Sequence, residues 1–141
     1  MSTPNAYLVF DGDCADAMRF YEHALGGRLE LLMTHAESPM AGQTRPEDAD
    51  KIMHARLALP GGGFLMGSDA AIQGPYNGKH GFALSLIYAT VAEARQVFEK
   101  LAEGGKISMP LDKTFWAETF GMVTDRFGTP WMINGGAMQA L

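Results

Sequence analysis

The feature that most constrains this chain is an internal repeat. The segments ADAMRFYEHALGGRLELL (15–32) and AEARQVFEKLAEGGKISMP (92–110) follow one template: a helical stretch, a Gly-Gly pair, then a basic residue opening an extended run. Ala15, Ala17, Tyr21 and Glu22 are answered by Ala92, Ala94, Phe98 and Glu99 at an offset of 77, and Gly26 and Gly27 by Gly104 and Gly105 one residue further on. Two copies of one small unit must therefore share whatever core the chain builds.

Each copy contains a helix. Ala17, Phe20, Tyr21, Ala24 and Leu25 recur at three- and four-residue spacing and form one apolar face, and Ala94, Val97, Phe98, Leu101 and Ala102 do the same. Asp11 or Asp13 is expected to cap the first helix and Thr90 the second, since a side-chain oxygen there accepts an orphan backbone N–H. The Gly-Gly pairs supply the left-handed residue that ends each helix. AYLVF (6–10) and HGFALSLIY (80–88) read as strands before the helices. After each helix come a strand and a hairpin: IMHARLAL and FLMGSD around PGGG in the first copy, FWAETFGMVT and TPWMIN around DRFG in the second. Each copy reads β-α-β-β-β, which makes the chain α+β: a first module over 1–69, a linker over 70–79 and a second module over 80–141. The polar segment 35–50 is expected to be a loop. One helix covers only one face of a sheet, so the other face must meet a second module or a partner.

Composition narrows the function. Eleven basic against 16 acidic residues leave a net charge of −5, with no basic stripe for nucleic acid. No apolar run reaches the 18 residues of a membrane helix, and MSTPNAYLVFDGD has no signal-peptide pattern. The lone Cys14 excludes an intrachain disulfide and a multi-cysteine zinc site, so a cytoplasmic protein is expected. Ten methionines suit irregular packing or a soft apolar pocket.

With the paired modules in place, the chain resembles the vicinal oxygen chelate superfamily of glyoxalases, bleomycin- and fosfomycin-resistance proteins and extradiol dioxygenases. LVFDGDCADAMRFY, IMHARLAL with FLMGSD, and the closing FW…FG.VTD.FG.PWMIN are similar to its PhnB-like branch, sometimes catalogued as demethylubiquinone methyltransferase-like. No Gly-rich nucleotide or adenosylmethionine loop stands between a strand and a helix. The resemblance implies a glyoxalase/bleomycin-resistance-type fold whose mixed sheet forms a concave cleft. It also implies a divalent metal held from the first and fourth strands of each module, acting as a Lewis acid on vicinal substrate oxygens. Carried over, those positions fall at Ala6, Met66, Gly81 and Met132, with His80 one residue off. Ala, Met, Gly and Met are not the oxygen and nitrogen donors such a metal needs, so no metal and no other cofactor is expected.

The remaining candidates come from strand alternation. His54, Arg56 and Ala58 share one face, and Met53, Ala55, Leu57 and Leu59 form the helix-facing core. His54 and Arg56 read either as a general base with an anion-orienting partner or as a solvated or dimer-lining polar face. Trp116, Glu118 and Phe120 share a face; Glu118 is an acid or base if buried between aromatics, or an edge charge that discourages aggregation. Asp125 in DRFG has the chemistry of a type I turn, and Trp131 that of core packing. Cys14 reads as a reactive thiol at a helix N-terminus or as a small buried residue. Together these features lead us to expect a homodimer that binds a small apolar or aromatic molecule in a cleft lined by Phe10, His54, Arg56, Met66, Trp116, Glu118 and Met132. His54 and Glu118 are the catalytic candidates. The alternatives are a metal-dependent lyase, isomerase or dioxygenase with a shifted site, or an accessory interaction protein.

Overall fold

The structure is a computed structural model describing residues 2–70 and 75–139. The chain divides into two compact units between Asn77 and Gly78. The first contains β1 (Ala6–Phe10), α1 (Cys14–Leu25), β2 (Arg28–Thr34), β3 (Ile52–Ala58) and β4 (Phe64–Asp69). The second contains β5 (Leu84–Tyr88), α2 (Val91–Ala102), β6 (Lys106–Asp112), β7 (Ala117–Thr124) and β8 (Pro130–Met138). Each unit is thus β-α-β-β-β. The strand orders, β1-β4-β3-β2 and β5-β8-β7-β6, are the same arrangement used twice. In both, the first and fourth strands pair in parallel and the rest are antiparallel.

The apolar faces read from the repeat become the cores. In the first unit Ala17, Tyr21, Ala24 and Leu25 of α1 are buried with Leu8, Phe10, Ala55, Leu57 and Leu65 of the sheet. In the second, Ala94, Phe98 and Leu101 of α2 are buried with Val123, Trp131 and Ile133. The Gly-Gly pairs work alike. Gly26 and Gly104 take φ of 73° and 71° at the helix ends. A Cβ on Gly27 would lie 2.5 Å from the Ala58 carbonyl oxygen, and one on Gly105 2.4 Å from that of Thr124. Each pair therefore turns the chain and lets it pass directly under the neighbouring hairpin.

The helix starts differ, and one corrects the sequence reading. Thr90 caps α2 as expected, its hydroxyl accepting from the Glu93 N–H at 3.1 Å and donating to the Glu93 carboxylate at 3.0 Å. Neither Asp11 nor Asp13 caps α1: Asp13 makes no side-chain cap bond. The buried Asp69, at the end of β4, accepts instead from the Cys14 N–H at 2.9 Å and from the Ile52 N–H at 2.8 Å. One carboxylate ties helix, β3 and β4 together. Pairing register puts Gly135 at the matching place in the second unit, where a Cβ would lie 2.4 Å from Ala94 Cβ. The self-capped helix needs no carboxylate there and packs onto bare backbone.

Two boundaries also shift. The strand expected over 80–88 begins only at Leu84, because Gly81 has φ of 78° and breaks the extended run. The segment 35–50 is not a plain loop: it forms short 3-10 turns at Ala41–Gln43 and Pro46–Asp48 and buries His35, Ser38 and Asp48. Lys51 and Arg45 both pair with Asp48, at 2.9 and 2.8 Å, holding its carboxyl below the usual range. Of the expected linker, residues 71–74 lie outside the described residues, and 75–79 have no regular structure.

Replacing Asp69 with Ala strands two buried N–H groups, so a loss of about 2–4 kcal/mol is expected in urea unfolding. A change under about 0.5 kcal/mol would show that Asp69 does not hold the helix to the sheet.

Candidate functional site

The face of the first sheet turned away from α1 carries Tyr7, His54, Arg56 and Met66. Alternation along β1 and β4 buries Leu8, Phe10, Leu65 and Asp69 on the helix side and turns Tyr7, Val9, Phe64, Met66 and Ser68 the other way. Pairing then aligns Tyr7, Met66, Arg56 and Leu31 in one row across β1, β4, β3 and β2. His54 lies opposite Met33 in the adjacent row.

Within this face Tyr7 and His54 form a couple. Their rings stack at 5.7 Å between centroids with 20° between planes, and the Tyr7 hydroxyl lies 3.3 Å from His54 Nδ1. Which atom donates depends on the imidazole tautomer, so the pair can take a proton from, or return one to, a group placed beside it. Arg56 lies with its guanidinium carbon 5.4 Å from the Phe64 ring centroid and its Nε 3.2 Å from a Glu30 oxygen. Glu30 reaches Arg56 because β2 has a register shift between Leu29 and Leu31, which inserts Glu30 as an extra residue.

Phe10 is corrected. It is fully buried with its ring 6.5 Å from that of Tyr21, so it belongs to the helix-side core and not to the open face. The alternation of AYLVF carries this: Phe10 shares a pleat with Leu8 and Ala6, whereas Tyr7, which the sequence reading missed, points to the side of Met66.

The second unit holds the other candidates. Met132 pairs with Met122 and Ser85 on the face opposite α2. Trp116 is half-buried; its ring packs edge-on against Phe120 at 5.1 Å and its indole N–H donates to Asn134 Oδ1 at 3.3 Å. Glu118 is exposed and sits at a bulge, where it accepts from the Ala137 N–H at 2.7 Å. It is committed to backbone and is not buried between aromatics, which favours a structural role over acid–base work. Asp125 closes its turn as expected, accepting from the Phe127 and Thr129 N–H groups at 2.9 and 3.1 Å. Its second oxygen accepts from the Trp131 indole at 2.8 Å, deep in the core. Cys14 is buried.

The implied metal positions can be tested for fit in each unit. Ala6 pairs with Leu65 on the helix side, so the first-strand position facing away from the helix beside Met66 is Tyr7. Gly81 precedes β5, and the residue paired with Met132 is Ser85. A hydroxyl and a thioether in each unit do not fit a divalent metal that takes imidazole and carboxylate donors. Among the described residues no three of His, Cys, Asp and Glu gather to hold one.

Comparison with known proteins agrees with this architecture. A family model described as the Glyoxalase/Bleomycin resistance protein/Dioxygenase superfamily matches residues 3–133. The chain is 39% identical over 136 residues to Protein YjdN of Escherichia coli K12, covering 91% of each. The crystal structure of protein PA1353 from Pseudomonas aeruginosa superposes with a TM-score of 0.88 at 43% identity, covering 97% of this chain and 99% of that one. The PhnB protein from Bacillus cereus gives 0.78 at 24% identity, covering 96% and 100%, a likeness of fold.

If Glu118 only braces the bulge, Glu118→Ala should cost about 0.5–1.5 kcal/mol in urea unfolding. Glu118→Gln, which keeps an acceptor for the Ala137 N–H, should recover most of that. Equal losses in both variants would contradict the bracing role.

Proposed function

The chain belongs to the Glyoxalase/Bleomycin resistance protein/Dioxygenase superfamily, and from that premise we propose that it binds a small apolar or aromatic molecule without the superfamily's metal. The carrying observation is the open face of the first sheet. Where the superfamily's pattern calls for metal donors, it presents Tyr7 and Met66, flanked by the Tyr7–His54 couple and by Arg56. Tyr7 is 48% exposed although it stands in a strand of high regularity, which leaves a flat aromatic surface available to a ligand. Met66 offers a polarizable, adaptable side chain beside it. A ligand lying on this row would have His54 and the Tyr7 hydroxyl within reach for hydrogen bonding or proton transfer.

The same reading takes the protein as a homodimer. Ile107 and Met109 on the edge strand β6 are 47% and 44% exposed, and a second copy covering them would remove apolar surface from water. Among the described residues no helix is long and apolar enough to cross a membrane. A single, buried cysteine is in keeping with a cytoplasmic location.

A thermal-shift and fluorescence screen of aromatic and polyketide-like compounds, run in EDTA, tests the reading. At least one compound should raise the melting temperature, and Met66→Lys should weaken its binding tenfold or more. Binding that appears only when Zn²⁺, Ni²⁺, Mn²⁺ or Fe²⁺ is supplied would contradict it, as would no binder at high micromolar concentration. Sedimentation at micromolar protein should give twice the 15.2 kDa chain mass, and a monomer would contradict the dimer.

A further inference from the structure

We infer that the ligand of the first-unit face is an organic anion, a carboxylate on a flat apolar body, held by Arg56 in exchange for Glu30. The inference rests on the reading of that face as the binding site and goes beyond it by assigning the ligand's charge.

Three charged side chains stand together there. Glu30 lies 3.0 Å from Arg28 through one oxygen and 3.2 Å from Arg56 through the other. Glu30 divides its single charge between two guanidinium groups, and Arg28, 80% exposed, is solvated, so the charge a ligand meets on this face is that of Arg56, which Glu30 answers only in part. An anionic ligand completes that pairing and a neutral one does not. Arg56 is also prepared for the task. Its guanidinium lies over the Phe64 ring, and among the described residues Glu30 engages only its Nε. A guanidinium has donors for two parallel bonds to a carboxylate, and stacking on an aromatic ring lowers the entropy lost in forming them.

Glu30 is the inserted residue of a bulge, so its carboxylate occupies Arg56 from outside the regular pleat. Its side chain is 24% exposed and that of Arg56 46%, so the pair is wet and its partner can be exchanged at small cost. The ligand's anionic group takes the place of Glu30 on Arg56, and Glu30 stays with Arg28. From Arg56 the row runs across Met66 to Tyr7, two interstrand spacings or about 10 Å, the length of a two-ring aromatic acid. The apolar body would cover Met66, and its far ring would meet the stacked Tyr7 and His54.

Calorimetry in EDTA with the isosteric probes 1-naphthoate and 1-naphthamide tests this. The acid should bind at least tenfold more tightly than the amide. Arg56→Met should abolish that preference while leaving the weak amide binding in place. Glu30→Gln, which removes the competing carboxylate, should strengthen naphthoate binding severalfold without changing naphthamide. Equal binding of acid and amide, or weaker naphthoate binding in Glu30→Gln, would overturn the inference and leave the binding face standing. Failure of both probes at millimolar concentration would overturn the inference together with the face it rests on.

Discussion

A single helix cannot cover both faces of a sheet, and most of what is specific to this protein follows from that limit. Each helix has twelve residues, which makes it about 18 Å long and roughly 10 Å across. Each sheet has four strands, about 19 Å in width. One helix therefore seals one face, and strand alternation commits every second side chain to that seal. Leu8, Phe10, Leu57 and Leu65 in the first unit, and Val123, Trp131 and Ile133 in the second, are spent in this way. The residues between them, Tyr7, Met66, Arg56 and His54 among them, are left for other work.

The seal itself is fixed by a few polar contacts at the ends of elements. Asp69 draws the start of α1 onto β3 and β4, and Asp125 fastens the last hairpin turn to the Trp131 indole. These buried carboxylates are satisfied by N–H donors, which is the condition under which a buried charge is tolerable. The two units solve the helix start differently, with Asp69 in one and the Thr90 hydroxyl in the other. The repeat therefore preserves topology and glycine placement while its capping chemistry has diverged.

How much of this was legible depended on how local the cause was. The helices, the Gly-Gly stops, the Thr90 cap, the Asp125 turn and the burial of Trp131 each follow from a few neighbouring residues, and each is found where the sequence places it. The cap on α1 was not legible, because Asp69 lies 55 positions from Cys14 and only strand pairing brings them together. The loop 35–50 hid its order for a similar reason: Asp48 is buried by ion pairs that hydrophobicity does not signal. At the site, the faces of His54, Arg56 and Met66 were readable from alternation. The same alternation separates Phe10, on the helix-side pleat, from Tyr7 on the open one, so both faces are legible in AYLVF although from sequence Phe10 is assigned to the cleft and Tyr7 omitted. The bulges that bring Glu30 to Arg56 and tie Glu118 to Ala137 break the alternation rule, so no pattern of period two reveals them.

The family explains the architecture, while the side chains on the open face argue for a different use of it. Our proposal that this face binds its ligand without metal can be tested on the face itself. Methyl NMR of methionine-labelled protein, titrated with 1-naphthoate in EDTA, tests it most directly, because Met66 stands in the row and the buried Met18 of α1 serves as an internal reference. A saturable shift of the Met66 methyl with Met18 unmoved is expected. A Met66 signal that responds to the naphthoate only once EDTA is removed and stoichiometric Zn²⁺ is supplied would contradict metal-free binding.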